Sequence, residues 1–248
     1  MIIIKSQAEI ELMRTAGKVN AKIFEGLKKI IRPGCTTMDI DDYVAEICAE
    51  HQMRPAEKGY GGFPANVCTS VNEEVVHGIP EKGRVLVDGD IVSVDLVVEY
   101  KGYMADSCRT YAVGTIDEES QRLIETAERA FFEGIQYARE GYRLLDISHR
   151  IQEVVEAEGF GVIRDYTGHG IGQNMHEDPA IPNYGKAGKG PRLQRGMTLA
   201  IEPMIVAGSW LTDTLLNDWT VVTKDGSRAA HYENTVAITD GDPDILTI

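Results

Sequence analysis

The sequence is poor in basic residues and contains no long apolar run. Lys and Arg total 25 against 39 Asp and Glu, so the formal net charge is −14 over 248 residues. A charge of this sign repels nucleic-acid phosphates and anionic membrane surfaces. The longest apolar stretch, residues 91–98, includes Ser93 and Asp95 and is far shorter than the roughly 20 residues of a membrane span. We therefore expect a protein that binds neither nucleic acid nor membranes.

Cysteine is also scarce, and its spacing excludes two kinds of site. The four cysteines form no Cys-x-x-Cys pair: Cys35, Cys48, Cys68 and Cys108. This spacing argues against a zinc knuckle or a redox dithiol and predicts free thiols. The first residues carry neither a basic leader nor a small-residue cleavage site, so we expect a cytoplasmic protein.

Apolar residues recur at helical and strand spacings, which predicts an α+β protein. Hydrophobic residues make up 43% of the chain and charged residues 26%, as in globular proteins. Ser6 and Glu9 form a capping-box pattern before the first amphipathic segment. The sequence predicts helices over 6–30, 38–50, 118–140 and 147–158, and strands over 66–71, 84–100 and 103–113.

The second half of the chain repeats features of the first at an offset of 107 residues. Pairs of identical residues at this offset are Arg32 and Arg139, Gly34 and Gly141, Asp39 and Asp146, Ile40 and Ile147, and Glu46 and Glu153. The same offset carries Asp95 onto Glu202. A period this long predicts a duplicated half-domain rather than a solenoid, with a chance match as the alternative. We expect one domain over 1–248 whose halves, roughly 6–113 and 114–248, pack about a pseudo-two-fold axis and share a site.

One acidic residue, Asp95, lies inside the apolar strand pattern of residues 91–98. A carboxylate in such a place costs several kcal/mol unless its charge is compensated. If residues 101–102 form a two-residue hairpin loop, Asp95 pairs with Cys108. Asp106 then lies diagonally on the same face, roughly 7–8 Å from Asp95. A loop one residue longer or shorter would place the two acids on opposite faces.

Two further acidic residues have the same apolar setting, Glu202 within residues 197–206 and Glu233 within residues 231–238. The basic residues fall mostly in predicted helices and loops, so they supply no run of opposing charge. His169 adds a neutral nitrogen ligand on a glycine-rich turn. Each feature alone has a plainer interpretation, a structural acid or an ordinary turn. Together, four carboxylates favour a dinuclear site, because two divalent ions neutralise them.

These residues and the motifs around them resemble the methionine aminopeptidases of type I. The motifs are VHGIP at 76–80, GHGIG at 168–172 and TLAIEPM at 198–204. The resemblance covers nearly the whole chain and implies a duplicated pita-bread fold and two divalent metal ions. It implies removal of the initiator methionine from peptides and nascent chains whose second residue is small. It also implies that the enzyme is a monomer and acts near the ribosome. Cobalt, iron, manganese and zinc all stay open, because oxygen-rich sites accept several metals.

The resemblance also implies roles for the five candidate metal ligands. Asp95 would chelate one ion, and His169 and Glu202 would hold the other. Asp106 and Glu233 would bridge the two ions. Glu202 would in addition transfer a proton from water to the leaving amine.

Other residues would bind substrate by the same resemblance. His77 and His176 would hydrogen-bond the substrate amide and the developing oxyanion. A methionine pocket would be lined by Tyr60, Phe63, Cys68, Met175 and Trp219. The alternatives are loop histidines and ordinary core packing. His231 shares the predicted strand face of Glu233, and its role stays open.

Two other functions are compatible with these features. Another pita-bread hydrolase, such as an X-Pro aminopeptidase, would use a similar ligand set but would carry a separate N-terminal domain, for which we expect no room at this length. A non-catalytic pita-bread binding protein would lack one or more ligands, and all five are present. The sequence shows neither an N-terminal extension nor the helical insert of type II relatives, so we expect a minimal type I enzyme of bacterial kind.

Overall fold

Four α-helices and fifteen strands make up the fold in the computed structural model, which describes residues 1–248. The helices are α1 (Gln7–Ile30), α2 (Thr37–Glu50), α3 (Glu118–Gly134) and α4 (Leu144–Ala157). The strands are β1 (Arg54–Pro55), β2 (Cys68–Val71), β3 (Glu74–Val76), β4 (Ile91–Tyr100), β5 (Tyr103–Ala112), β6 (Gly161–Val162), β7 (Thr167–Gly170), β8 (Glu177–Pro182), β9 (Thr198–Ile201), β10 (Met204–Val206), β11 (Thr212–Thr214), β12 (Val221–Thr223), β13 (Ala229–His231), β14 (Glu233–Ala237) and β15 (Asp244–Ile245). None of the helices has the length and apolarity that crossing a membrane requires.

Capping residues determine where the first two helices begin. The Ser6 hydroxyl accepts the Glu9 N–H, and the Glu9 carboxylate accepts the Ser6 N–H, 2.6 Å away. Thr36 and Asp39 form the same reciprocal pair before α2. Such boxes satisfy N–H groups that have no partner inside the helix. The helices predicted over 6–30 and 38–50 are confirmed, with α2 beginning one residue earlier than predicted.

The predicted ends of the other two helices are wrong. Helix α3 stops at Gly134, before residue 140, because the chain tightens there into a 3₁₀ turn over Ile135–Tyr137. Helix α4 begins at Leu144, before residue 147, because the Asp146 carboxylate accepts the Arg143 N–H at 2.8 Å and caps the helix.

The hairpin of β4 and β5 has the predicted register. Its two turn residues, 101 and 102, have φ of 50° and 82°, as a type I′ turn requires. Asp95 pairs with Cys108, and Val97 pairs with Asp106. Asp106 is therefore the diagonal neighbour of Asp95 on the same face of the hairpin, as predicted.

Two predicted strands begin later than expected, because side chains hold the preceding residues in turns. Strand β4 starts at Ile91 rather than 84, since the Asp90 carboxylate accepts the Val87 N–H at 2.9 Å. Strand β2 starts at Cys68 rather than 66. Asn66 instead donates its N–H and its side-chain amide to the Asp41 carboxylate, at 2.7 and 2.6 Å.

The main sheet has the order β1-β4-β5-β14-β9-β7-β8, with β2 beside β4 and β15 beside β14. One buried cluster packs α1 and α2 against β4 and β5, and another packs α3 and α4 against β9 and β14. An offset of 107 residues carries both ends of α2 onto the ends of α4, and the start of β4 onto the start of β9. Each pair of helices thus covers its own strands, while the boundary near residue 113 stays a prediction.

Candidate metal centre and substrate cavity

Five neighbouring strands of the main sheet each deliver one candidate ligand. In sheet order these are Asp95 on β4, Asp106 on β5, Glu233 on β14, Glu202 directly after β9, and His169 on β7. Adjacent strands lie only about 4.8 Å apart. Residues distant in sequence therefore meet at the centre of the sheet.

The ligand atoms of this set are close together and shielded from water. His169 Nε2 lies 3.6 Å from Asp106 Oδ2 and 3.4 Å from Glu202 Oε1. One ligand atom each from Asp106, His169 and Glu233 lie within 4.8 Å of one another, close enough to hold a metal ion. These three residues are buried.

Burial raises the pKa of all four candidate carboxyl ligands, and repulsion by neighbouring carboxylates adds to the rise in three of them. Burial raises the pKa of Asp106 to about 7. Burial, followed by the charges of neighbouring carboxylates, raises the pKa of Asp95, Glu202 and Glu233 well above the ordinary range. The only basic side-chain nitrogens within 4.0 Å of these oxygens belong to histidines. The cluster therefore lacks a compensating positive charge from the chain itself.

Several polar atoms in this cluster have no partner. Asp106 Oδ1 and Glu233 Oε1 are buried without a hydrogen bond, and so is His231 Nε2. Buried polar atoms are almost always satisfied in folded proteins, by protein groups, water or ions. A set of carboxylate oxygens with one imidazole nitrogen is a donor set that divalent cations accept. The residues present thus fit divalent metal ions.

His231 lies behind this cluster. Its Nε2 is 3.8 Å from Glu202 Oε2 and 3.7 Å from Glu233 Oε2, and the residue is 2% exposed. The prediction that His231 and Glu233 share one strand is wrong, because β13 ends at His231 and β14 begins at Glu233. Both side chains nevertheless reach the same cluster.

The glycines beside His169 allow close packing, although the segment is strand β7 and not the predicted turn. A Cβ at Gly168 would lie 2.4 Å from the Ala200 carbonyl oxygen. A Cβ at Gly170 would lie 2.1 Å from the carbonyl oxygen of Asp178. Any side chain at either position would therefore push β7 away from its neighbours and displace His169.

All twelve sequence-predicted site residues line one cavity of about 800 Å³, part of which is open to solvent. Six further lining residues were not predicted: Glu57, Val76, Val97, Tyr166, Thr167 and Met204. Tyr166 and Thr167 directly precede the GHGIG motif, which is a signal that could have found them. The structure therefore places the candidate ligands and the candidate pocket residues around a common space.

Aromatic rings and sulfur atoms form one wall of the cavity. The rings of Phe63 and Trp219 meet edge to face with centroids 5.1 Å apart. Burial, with the charge of Asp95, raises the pKa of the Cys68 thiol, so the thiol stays neutral. Met175 is buried against Val97 and lines the cavity as well.

The two candidate substrate-binding histidines, His77 and His176, are neutral at physiological pH. Burial lowers the pKa of both His77 and His176 to about 4, and a neighbouring histidine contributes in each case. His176 Nδ1 lies 2.7 Å from the Tyr60 hydroxyl. His77 has a φ of 59°, in the left-handed region that few non-glycine residues adopt. Such strain occurs often at functional sites.

Glu57 is an acid that lines the cavity and that sequence reasoning missed. Its Oε1 accepts the Val97 N–H at 2.6 Å, while its Oε2 is buried without a partner. Burial, followed by the charges of Asp106 and Asp95, raises its pKa well above the ordinary range. Glu57 lies in a loop between β1 and β2, where no strand or helix pattern marks it.

Comparison with known proteins agrees with this geometry. The pattern of metallopeptidase family M24 matches residues 11–240. The chain belongs to this family. Among M24 relatives, the methionine aminopeptidase of Clostridium acetobutylicum is 56% identical over 248 residues, covering 100% of this chain and 99% of that protein. The crystal structure of methionine aminopeptidase from Thermotoga maritima matches with a TM-score of 0.98 and 49% identity, covering 100% of this chain and 99% of that one.

These M24 relatives confirm the expected pita-bread fold and the resemblance to type I methionine aminopeptidases. The X-Pro aminopeptidase from Thermotoga maritima shares the fold, with a TM-score of 0.77. It is only 20% identical, and the match covers 99% of this chain but 62% of that one. The relatives thus favour the methionine aminopeptidase interpretation over the X-Pro alternative.

The metal-free protein should lose stability between about pH 6.5 and pH 8. Asp106, with a pKa of about 7 in the fold against 3.8 ordinarily, keeps its proton in the folded state and loses it on unfolding. The folded state therefore binds more protons, and the free energy of unfolding falls as pH rises, by on the order of 1 kcal/mol for this group. Four histidines with lowered pKa act oppositely, but their effect fades above their ordinary value of 6.5. The pKa of Asp95, Glu202 and Glu233 is raised well above the ordinary range, so these groups add to the decline.

Urea unfolding midpoints, measured with chelator across this pH range, check the expectation. Added divalent metal should raise the midpoint and remove the decline, because cations favour the ionised carboxylates. A chelated protein whose midpoint rises steadily from about pH 6.5 to pH 8 would contradict it.

Proposed function

We propose that this protein removes the N-terminal methionine from peptides and nascent chains whose second residue is small, by metal-dependent hydrolysis. The observation that carries the proposal is the common cavity, lined at once by the compact set of metal donors and by an aromatic, sulfur-rich wall. The first element suits hydrolysis of an amide bond, and the second suits a methionine side chain. The methionine aminopeptidases among the relatives support the same activity.

The ligand set we propose would hold two divalent ions: Asp95 would bind one, His169 and Glu202 would bind the other, and Asp106 and Glu233 would bind both. The four carboxylates without a nearby Lys or Arg, and the partnerless oxygens of Asp106 and Glu233, support this assignment. When bound, such ions polarise the scissile carbonyl and lower the pKa of water.

Glu202 is our candidate for the group that moves protons. Its side chain is 11% exposed and lines the cavity, so its carboxylate can reach a substrate bound there. It would accept a proton from the attacking water and donate it to the leaving amine. Glu202 Oε1 lies 3.4 Å from His169 Nε2, so the carboxylate is among the candidate metal ligands, where the reaction would occur.

His176 and His77 would stabilise charge on the substrate as neutral hydrogen-bond donors. If the Tyr60 hydroxyl donates to His176 Nδ1, the ring proton resides on Nε2 and can be donated to a substrate oxygen. The lowered pKa of both histidines keeps them neutral, so they do not repel cations bound nearby.

The first residue of the substrate would contact Tyr60, Phe63, Cys68, Met175 and Trp219. Sulfur makes favourable contacts at the edges of aromatic rings, which the edge-to-face pair of Phe63 and Trp219 presents. We further propose a cytoplasmic monomer, with duplicated halves of roughly 6–113 and 114–248, that acts near the ribosome on emerging chains.

The first testable expectation concerns specificity. Peptides that begin Met-Ala or Met-Gly should be cleaved, and kcat/KM for Leu-Ala peptides should be about 10- to 200-fold lower, since an apolar pocket discriminates by about 1–3 kcal/mol. Met-Lys and Met-Phe peptides should be spared. Trp219→Ala should reduce the preference for methionine without loss of metal. Equal cleavage of Leu-starting and Met-starting peptides by the unmodified protein would defeat the proposal.

A second expectation separates the histidines from the metal ligands. His77→Ala and His176→Ala should keep their metal content but lose kcat on the order of 10²-fold, as removal of an oxyanion donor does. His51→Ala, at an exposed histidine that caps the end of α2, is the matched control and should change neither quantity. Loss of metal from a His77 or His176 variant, measured by elemental analysis, would make that residue a ligand instead.

A further inference from the structure

A buried ion pair joins the N-terminal segment to the start of β8. Lys5 Nζ lies 2.5 Å from Glu177 Oε2, and both side chains are 3% exposed. The Lys5 N–H also donates to the Gly196 carbonyl at 2.8 Å, which fixes the segment to the fold. A buried ion pair adds little net stability over well-packed apolar residues, so stability alone does not explain it.

The loop between β7 and β8, residues 171–176, closes directly over this pair. Glu177 Oε1 accepts the Asn174 N–H at 3.2 Å, and the Gly172 N–H donates to the Asn174 carbonyl at 3.1 Å. A Cβ at Gly172 would lie 2.4 Å from Lys5 Cε and 2.8 Å from Glu177 Oε1. The conformation of the loop therefore depends on where the pair lies.

The loop carries two of the proposed substrate-binding residues, Met175 and His176. His176 is the last residue of the loop and directly precedes Glu177, the first residue of β8. Glu177 points inward to Lys5, whereas His176 lines the cavity, with its ring centroid 4.3 Å from that of His169. Because Glu177 is held at Lys5 and at the Asn174 N–H, the backbone on both sides of His176 is restrained, and with it the position of the imidazole.

We propose that Lys5 is a positioning residue for the reaction: through Glu177 it holds the loop that places His176 beside the candidate metal ligands. Lys5 does not line the cavity and acts only through its ion pair. This inference rests on the proposed function, because it requires His176 to act on the substrate. Small displacements of such a group reduce the rate strongly, so kcat should fall while KM changes little.

The test is a double-mutant cycle on kcat, with a Met-Ala-Ser peptide and the manganese-loaded full-length protein. Lys5→Met combined with Glu177→Leu removes both charges and leaves no buried charge unpaired. We expect this double variant to lower kcat by about 10-fold or more in the otherwise unmodified protein. In the His176→Ala background the same change should lower kcat by less than about 2-fold, with metal content unchanged.

Two further variants complete the test. Arg14→Met breaks the ion pair between Arg14 and Asp244, which lies outside the cavity, and should lower Tm but leave kcat unchanged. Gly172→Ala keeps both charges but displaces the pair. It should therefore lower kcat in the otherwise unmodified protein and lower it much less in the His176→Ala background, and it gives this test even if the double variant does not fold.

The results distinguish a failure of the positioning role of Lys5 from a failure of the proposed function. No loss of kcat, or an equal loss in both His176 backgrounds, would overturn the positioning role of Lys5. Failure of the unmodified protein to cleave the methionine peptide would overturn the proposed function. Full kcat in His176→Ala alone would remove His176 from the reaction.

Discussion

The structure depends on one electrostatic constraint: four carboxylates meet in a buried place where no Lys or Arg side chain reaches them. Their raised pKa values show the cost of that arrangement, and partnerless oxygens on Asp106 and Glu233 show that it is incomplete without cations. Five adjacent strands, one ligand each, are needed to assemble it. The glycines beside His169 follow from the same requirement, because they let β7 approach the neighbouring strands closely.

Around this centre, the metal ligands and the residues that would contact the substrate lie on different parts of the fold. The sheet holds the ligands rigidly, while the loops between strands supply the aromatic wall and the neutral histidines. Rigid elements suit charged groups that must keep a fixed spacing, and loops suit residues that contact a substrate. The ion pair of Lys5 and Glu177 connects the two, since it fixes the loop of His176 to the interior.

The ligand geometry was predictable because it follows from local rules. A two-residue loop and a side-chain period of two determine that Asp106 is diagonal to Asp95, and the repeat at 107 residues relates Asp95 to Glu202. Element ends were less predictable, because single hydrogen bonds such as that from Arg143 to Asp146 decide them. Glu57 and the pair of Lys5 and Glu177 were missed for another reason. Their surroundings come from contacts between residues far apart in the sequence, and no periodic pattern marks them.

The carboxylate cluster should require two cations. Calorimetric titration of the metal-free protein with manganese, at about pH 7 in buffers of different protonation enthalpy, measures this requirement. We expect two ions bound per chain with net release of protons, because carboxyl groups that are partly protonated without metal must ionise to bind it. Asp106→Asn, at the proposed bridge, should weaken both binding events. Binding without proton release, a stoichiometry below two, or two undisturbed sites in Asp106→Asn would show that the carboxylate cluster is not a dinuclear site.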